Sequence, residues 1–293
     1  MNAWTSIGPR ENLEQKTMKK LKVPLRRYGG KVYLTKWIIE HFPPHTLYVE
    51  PFCGSAAVFF AKAPSQAEIL NDIDNRIIHA FETIRSSPIE LAAAIWATPY
   101  AKNNWHEGWD KLDDLERAAL FIASSQQFYA GNTKSSSFSI DTGYANKNKA
   151  HVWRDWWKRI LPAANRLKNA QILCGNALNL IDRLSNLEHA LFYLDPPYHN
   201  HEAEYADSVD FPTLAKLLNK VKGKVILSGT EAEASFFPKW RHVKREYTGR
   251  CRTGAHKQVS KQYKEYLYFN FPEKKHPTHP LAPFEHDWIR DSD

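Results

Sequence analysis

The chain has 293 residues, 43% of them hydrophobic and 25% charged, with 40 Lys plus Arg against 32 Asp plus Glu and a formal net charge of +8. That length accommodates one large α/β domain with an insertion, or two domains, around a substantial core. Three scattered cysteines, Cys53, Cys174 and Cys251, make neither a disulfide framework nor a Cys-x-x-Cys zinc site, and no apolar run nears the roughly 18 residues of a spanning helix. A disulfide-stapled, zinc-dependent or membrane-embedded class is thereby set aside, no metal is called for, and a cytoplasmic protein is expected.

Residues 1–23 lack clear periodicity and read as an N-terminal extension. The body opens with Tyr28, Gly29, Gly30 and Lys31, and the spacing of Leu34, Trp37, Ile38 and Phe42 predicts an amphipathic helix that closes at Pro43 and Pro44. Thr46 to Glu50 reads as a short strand. It runs into Pro51, Phe52, Cys53, Gly54 and Ser55, and then into a helical stretch from Ala56 to Lys62. Strand, small-residue turn and helix is how α/β folds hold a nucleotide-like ligand at a strand's carboxyl end. A second strand, Glu68 to Leu70, leads to Asn71, Asp72, Ile73 and Asp74. An acid about 20 residues beyond such a turn is where these folds bind ribose hydroxyls. Gly54 lacks the full Gly-x-Gly-x-x-Gly pattern, and Asp72 would serve equally as an N-cap for the run Ile77 to Ile84.

The middle of the chain interleaves aromatic and basic residues: Trp96, Trp105, Trp109, Tyr129, Trp153, Trp156 and Trp157 among Lys102, Lys134, Lys147, Lys149, Arg154, Lys158 and Arg159. That mixture suits contacts to a nucleic-acid backbone and groove. The helical spacing of Trp153, Trp156 and Trp157 points instead to a small helical core, so the polar loop 131–149, with Asn132, Lys134, Lys147 and Lys149, is the better candidate for base contacts.

The apolar run Ala190 to Leu194 delivers Asp195, Pro196, Pro197 and Tyr198. Pro-Pro stops a strand and Asp before it is common in turns, but the tetrapeptide also has a chemical use. The amino group of a nucleobase is a poor nucleophile because its lone pair is delocalised into the ring. A carboxylate and a proline-fixed carbonyl can accept its two hydrogens and localise that pair, while Tyr198 offers a face for stacking. His199 and His201 read as loop residues. Val225 to Ser228 follows as a further apolar run, and between Lys244 and Lys264 seven Lys or Arg face one Glu, a local charge of +6. Such a patch is the electrostatic footprint of a polyanion partner. Residues 272–293, with four prolines and an acidic end, read as a tail.

Taken together, Gly29 to Lys31, Val49 to Ser55, Asn71 to Asp74, Tyr193 to Tyr198 and Val225 to Ser228 resemble the Dam-like, alpha-class DNA adenine methyltransferases over most of residues 24–271. The resemblance implies a Rossmann-like methyltransferase sheet flanked by helices, in residues 24–98 and 171–271, with an inserted, mainly helical target-recognition region in 99–170. It implies S-adenosyl-L-methionine as cofactor. Tyr28, Gly29, Gly30, Lys31 and Glu50 through Ser55 would line its site, Asp72 and Ile73 would meet its ribose side, and Asp195 would border it. Asp195 to Tyr198 would hold an adenine flipped out of double-stranded DNA, attacking the methyl group in line without a covalent enzyme intermediate, so the three cysteines are bystanders. Arg250, Arg252, Lys257 and Lys261 would join Asn132, Lys134, Lys147 and Lys149 in binding DNA, the enzyme acting as a monomer. The tetrapeptide chemistry also serves cytosine N4 in DNA and adenine in RNA; Asp at 195 and the order of motifs favour adenine in DNA. A catalytically silent DNA-binding relative would show damage at Asp195 or the donor turn, and neither is visibly damaged.

Two positions depart from the family pattern. Arg27 stands where an aromatic residue is usual. Asn176, just before Ala177, replaces an acid; Asn176 and Ala177 are both assigned to the donor site, Asn176 accepting through its amide oxygen. The Arg- and Asn-rich hairpin with which close Dam relatives read GATC has no clear equivalent, so the sequence assigns no recognised site.

Overall fold

The computed structural model describes residues 21–27, 29–102, 111–128, 138, 140, 148–197, 209–252 and 258–273. Its centre is a seven-stranded sheet in the order β3-β2-β1-β4-β5-β7-β6. Strands β1 (Leu47–Glu50), β2 (Ala67–Asp72), β3 (Ala170–Cys174), β4 (Ala190–Leu194) and β5 (Lys224–Gly229) pair in parallel. Strand β7 (Gln258–Phe269) enters antiparallel between β5 and β6 (Arg241–Arg252).

Strands β1 and β4 are buried along their whole length, as expected of a parallel sheet covered on both faces. Side-chain alternation divides the work. Tyr48, Leu191 and Tyr193 point into one core with helices α1 (Thr35–Ile39), α2 (Ala57–Ala61), α3 (Asn75–Ser86) and α4 (Pro88–Ala97). Val49, Phe192 and Leu194 point into the other, whose helices are α8 (Ala177–Leu184) and α9 (Phe211–Leu218).

Between α4 and β3 lie α5 (Asp114–Gln127), α6 (Lys149–Arg154), a 3-10 turn (Trp156–Arg159) and α7 (Ile160–Leu167). Ala118, Phe121, Ile122, Ile160, Ala163 and Leu167 share the first core with α3 and α4, so the helices of residues 99–170 are walls of the sheet's own core. Trp153 and Trp156 are buried there as helical spacing predicts, and their indole N–H groups donate to Thr98 O and Pro24 O, both at 2.7 Å. Arg159 lies 3.3 Å from the centroid of the Trp156 ring. This is the anchor for the chain's entry: Val23 and Leu25 are buried against the same core, so the expected extension is docked by its last residues.

Candidate active site

In a doubly wound sheet the crevice opens where neighbouring strands lead their connections to opposite faces. Here that point is between β1 and β4. The carboxyl end of β1 supplies Glu50 and the turn 51–55, and the carboxyl end of β4 supplies Asp195. A cleft of about 840 Å³, open mouth included, is lined by Gly29, Gly30, Lys31, Glu50, Phe52, Cys53, Gly54, Ser55, Asp72, Ile73, Asp195 and Pro197. Gly29 and Asp195, 166 residues apart in sequence, thus meet around one space.

The turn after β1 has an unusual backbone. Gly54 has φ +50° and Ala56 has φ +52°, both left-handed; Gly54 takes that conformation without steric penalty, whereas at Ala56 it is strained. The turn is fastened from below. Asp72 accepts from Gly54 N–H at 2.8 Å and from Asp74 N–H at 2.9 Å, and Asn71 donates to both Pro51 O and Gly175 O at 2.9 Å. A Cβ placed at Gly54 would meet no protein atom within 4 Å, so the space in front of it belongs to the cleft.

The carboxylates around the cleft differ in character. Glu50 is buried, accepts from the Tyr48 hydroxyl at 2.5 Å and is pushed up to about 8, chiefly by burial. Burial also raises Asp72, partly offset by its two backbone N–H donors. Asp74 is lowered: burial acts against ionisation, but Arg76 and Arg27 outweigh it. Asp195 is held by Lys31, whose Nζ lies 2.8 Å from Oδ1 and 3.7 Å from Glu265. Cys53 is buried and its thiol is raised well above the usual range by burial, which opposes a nucleophilic role.

Several expected residues fall elsewhere. Asp74, rather than Asp72, caps α3, its side chain accepting from Arg76 N–H. Asn176 caps α8, its amide oxygen accepting from Leu178 N–H at 2.8 Å; neither it nor Ala177 lines the cleft. Pro51 sits beneath the turn through its carbonyl. Tyr28, Tyr198, Asn132, Lys134, Lys147 and Lys257 lie outside the described residues, as do His199 and His201. Lys149 begins α6, and Arg250, Arg252 and Lys261 lie in the β6–β7 ribbon.

Sequence reasoning missed several contributors, Arg27, Ile77 and Glu265 among them. Arg27 lines the cleft and pairs with Asp74 at 3.1 Å, joining the entry loop to the β2 turn. Ile77 adds apolar wall from α3. Glu265, 4% exposed, stands behind Lys31; its only local signal is an acid at the head of the run Tyr266 to Phe269.

A doubly wound sheet whose central strands bring a glycine turn and Asp-Pro-Pro to one cleft has the layout of a nucleotide-site α/β enzyme. The family of D12 class N6 adenine-specific DNA methyltransferases matches residues 28–240, and the chain belongs to it. Its reaction is methylation of adenine in DNA, and membership implies S-adenosyl-L-methionine as the methyl donor. Relatives are distant. The Type II methyltransferase M1.LlaDCHI of Lactococcus lactis subsp. cremoris is 25% identical over 250 residues, covering 75% of this chain and 85% of that protein. The DNA adenine methylase of Serratia marcescens is 24% identical over 192 residues, covering 62% and 68%, and that of Escherichia coli (strain K12) is 26% identical over 195, covering 62% and 66%. Among the described residues no group of His, Cys, Asp and Glu is arranged to hold a metal, and no helix is long and apolar enough to cross a membrane.

Proposed function

We propose that the cleft between β1 and β4 binds S-adenosyl-L-methionine and that Asp195, with the Pro196 carbonyl, accepts the amino hydrogens of an adenine flipped from duplex DNA. The observation that carries this reading is the joint lining of one cleft by the glycine turn and Asp195. The donor is a cation with an apolar sulfonium flank, a diol and a flat base. Half-buried carboxylates at Asp72 and Asp195 suit its charge and hydroxyls, Glu50, raised to about 8 by burial, adds a polar group at the strand end, and Phe52, Ile73 and Ile77 suit its apolar parts. Gly54 leaves the turn bare where the ligand's backbone must pass. Bound there, the group supplies an electrophilic methyl.

The protein's part is positioning. Asp195 and the Pro196 carbonyl orient the adenine amine and draw its lone pair out of the ring, Tyr198 stacks on the flipped base, and the surroundings exclude water. No side chain forms a covalent bond, in keeping with the raised thiol of Cys53. Residues 131–149 supply the target-reading loop, and the chain acts as a cytoplasmic monomer. To test the reading, 2-aminopurine is placed at the target position of a duplex; its fluorescence should rise on binding, and tritium from labelled S-adenosylmethionine should appear in N6-methyladenine of duplex DNA. Label confined to RNA or to methylcytosine would refute it.

The β6–β7 ribbon is the second DNA-binding element in this reading. Beyond the Gly229↔Tyr266 pair β7 leaves β5, yet β6 and β7 stay paired from Arg245↔Glu265 to Arg252↔Gln258. At about 3.3 Å per residue this is a two-stranded arm of about 25 Å. Because β5 runs parallel to β4, the arm leaves the sheet at the edge that bears Asp195. Neutralising Arg250, Arg252, Lys257 and Lys261 together should weaken binding to all duplexes alike and flatten the plot of log affinity against log salt by about 0.9 for each phosphate that is no longer neutralised. An unchanged slope in an anisotropy titration would take the arm out of the interface.

A further inference from the structure

We propose that Glu265 is a positioning residue that receives the Lys31 ammonium when the target adenine takes its place on Asp195. This rests on the assignment of Asp195 as the amine's acceptor. In the structure Lys31 Nζ donates to Asp195 Oδ1 at 2.8 Å and to Gly29 O at 3.1 Å, and Glu265 Oε1 stands 3.7 Å away. The carboxylate that the amine needs is therefore already engaged by an ammonium, and the incoming N–H must share or displace it.

Displacement into an apolar space would be prohibitive, because a buried ammonium separated from its carboxylate has neither water nor counter-charge. Lys31 is only 7% exposed and the Glu265 side chain only 5%. A shift of less than about 1 Å along the flexible lysine stem would bring Nζ into hydrogen-bond range of Glu265 without leaving the protein interior. With the amine on Asp195 and the ammonium on Glu265, each carboxylate keeps a donor throughout.

The fold explains why an acid stands there. Leu267 and Phe269 on β7 point into the first core. Glu265 continues the same face two residues nearer the cleft, just past the last β5–β7 pair, Gly229↔Tyr266. It pairs in register with Arg245 on β6, but Arg245 lies towards Trp37, 5.9 Å from its ring. An ordinary core strand would carry an apolar residue here. The carboxylate is instead aimed at Lys31, the residue that occupies the amine's acceptor.

The test uses the full chain and two kinds of measurement. For Glu265→Gln, steady-state kinetics on duplex DNA should show kcat down by about a hundredfold, with the KM for DNA and the calorimetric donor affinity little changed. Glu265→Asp should recover most of that activity. Wild-type kcat in the Gln variant, or an effect confined to KM, would overturn the inference. Should the Gln variant not fold, a crystal structure of the wild-type protein with duplex DNA and sinefungin decides. Lys31 Nζ is expected within hydrogen-bond distance of Glu265 and withdrawn from Asp195 Oδ1. Nζ still on Oδ1 with adenine seated on Asp195 would overturn the exchange alone, whereas adenine seated away from Asp195 would overturn the underlying reading, and this inference with it.

Discussion

Asp195→Ala should lower methyl transfer to duplex DNA by at least about a hundredfold to a thousandfold, the cost of deleting one preorganised polar group at a reacting centre. The alanine removes the acceptor that draws out the adenine lone pair. It also removes the nearer partner of Lys31, leaving that ammonium with Gly29 O and the more distant Glu265. Donor binding should remain measurable by calorimetry, because the turn that faces the cleft at Gly54 is fastened by Asp72 and Asn71, on a different strand from Asp195. Rapid-quench measurement of labelled methyl transfer separates the two effects. Unimpaired transfer would remove the tetrapeptide from the chemistry.

Glu68→Ala should destabilise the protein by about 3–5 kcal/mol, the range for breaking a buried ion pair from one side. Glu68 accepts from Lys62, and from Arg166 through both carboxylate oxygens at 2.5 and 2.8 Å. Lys62 is fully buried and Arg166 is 10% exposed, so the alanine strands two cations. Burial alone would raise the Glu68 carboxyl, but Arg166 and Lys62 outweigh it and hold it low. Its folded pKa is therefore below its unfolded one, so the stabilisation is present above the unfolded value near 4.5 and disappears as pH falls through the folded value. Urea titrations should show a large gap between wild type and variant at neutral pH, narrowing in acid. A gap that stays constant with pH would mean that packing, not ionisation, is what the variant lacks.

What is legible in the sequence is local. The β1 turn, the acidic end of β2 and Asp-Pro-Pro at the end of β4 each lie within one short segment, and strand-to-turn patterning reveals them. The structure adds that they share a cleft. What stays hidden depends on distant segments or on a choice between neighbours. Glu265 approaches Lys31 only because an antiparallel last strand crosses back beside β5. Asp74 and Asp72 are interchangeable as caps by residue type, and only the run of β2 through Asp72 decides between them. Family resemblance assigns Asn176 to the ligand, while its place before Ala177 makes it a helix cap whose oxygen serves Leu178 N–H. The aromatic and basic composition of residues 99–170 points to nucleic-acid contacts, and what it does not reveal is that α5 and α7 present their apolar faces to α3 and α4.

The inverted order of the last two strands has a consequence for assembly. Among the described residues β6 pairs only with β7, and β5 has β7 as its outer neighbour, so during synthesis β5 remains an open parallel edge until residues 258–269 have emerged. An exposed edge is a template for the wrong partner. The same late strand carries Glu265 to Lys31, so a nascent chain that has made every cleft motif up to Asp195 still lacks the carboxylate that braces them. Closing the sheet and completing the charged cluster therefore depend on the same strand, β7.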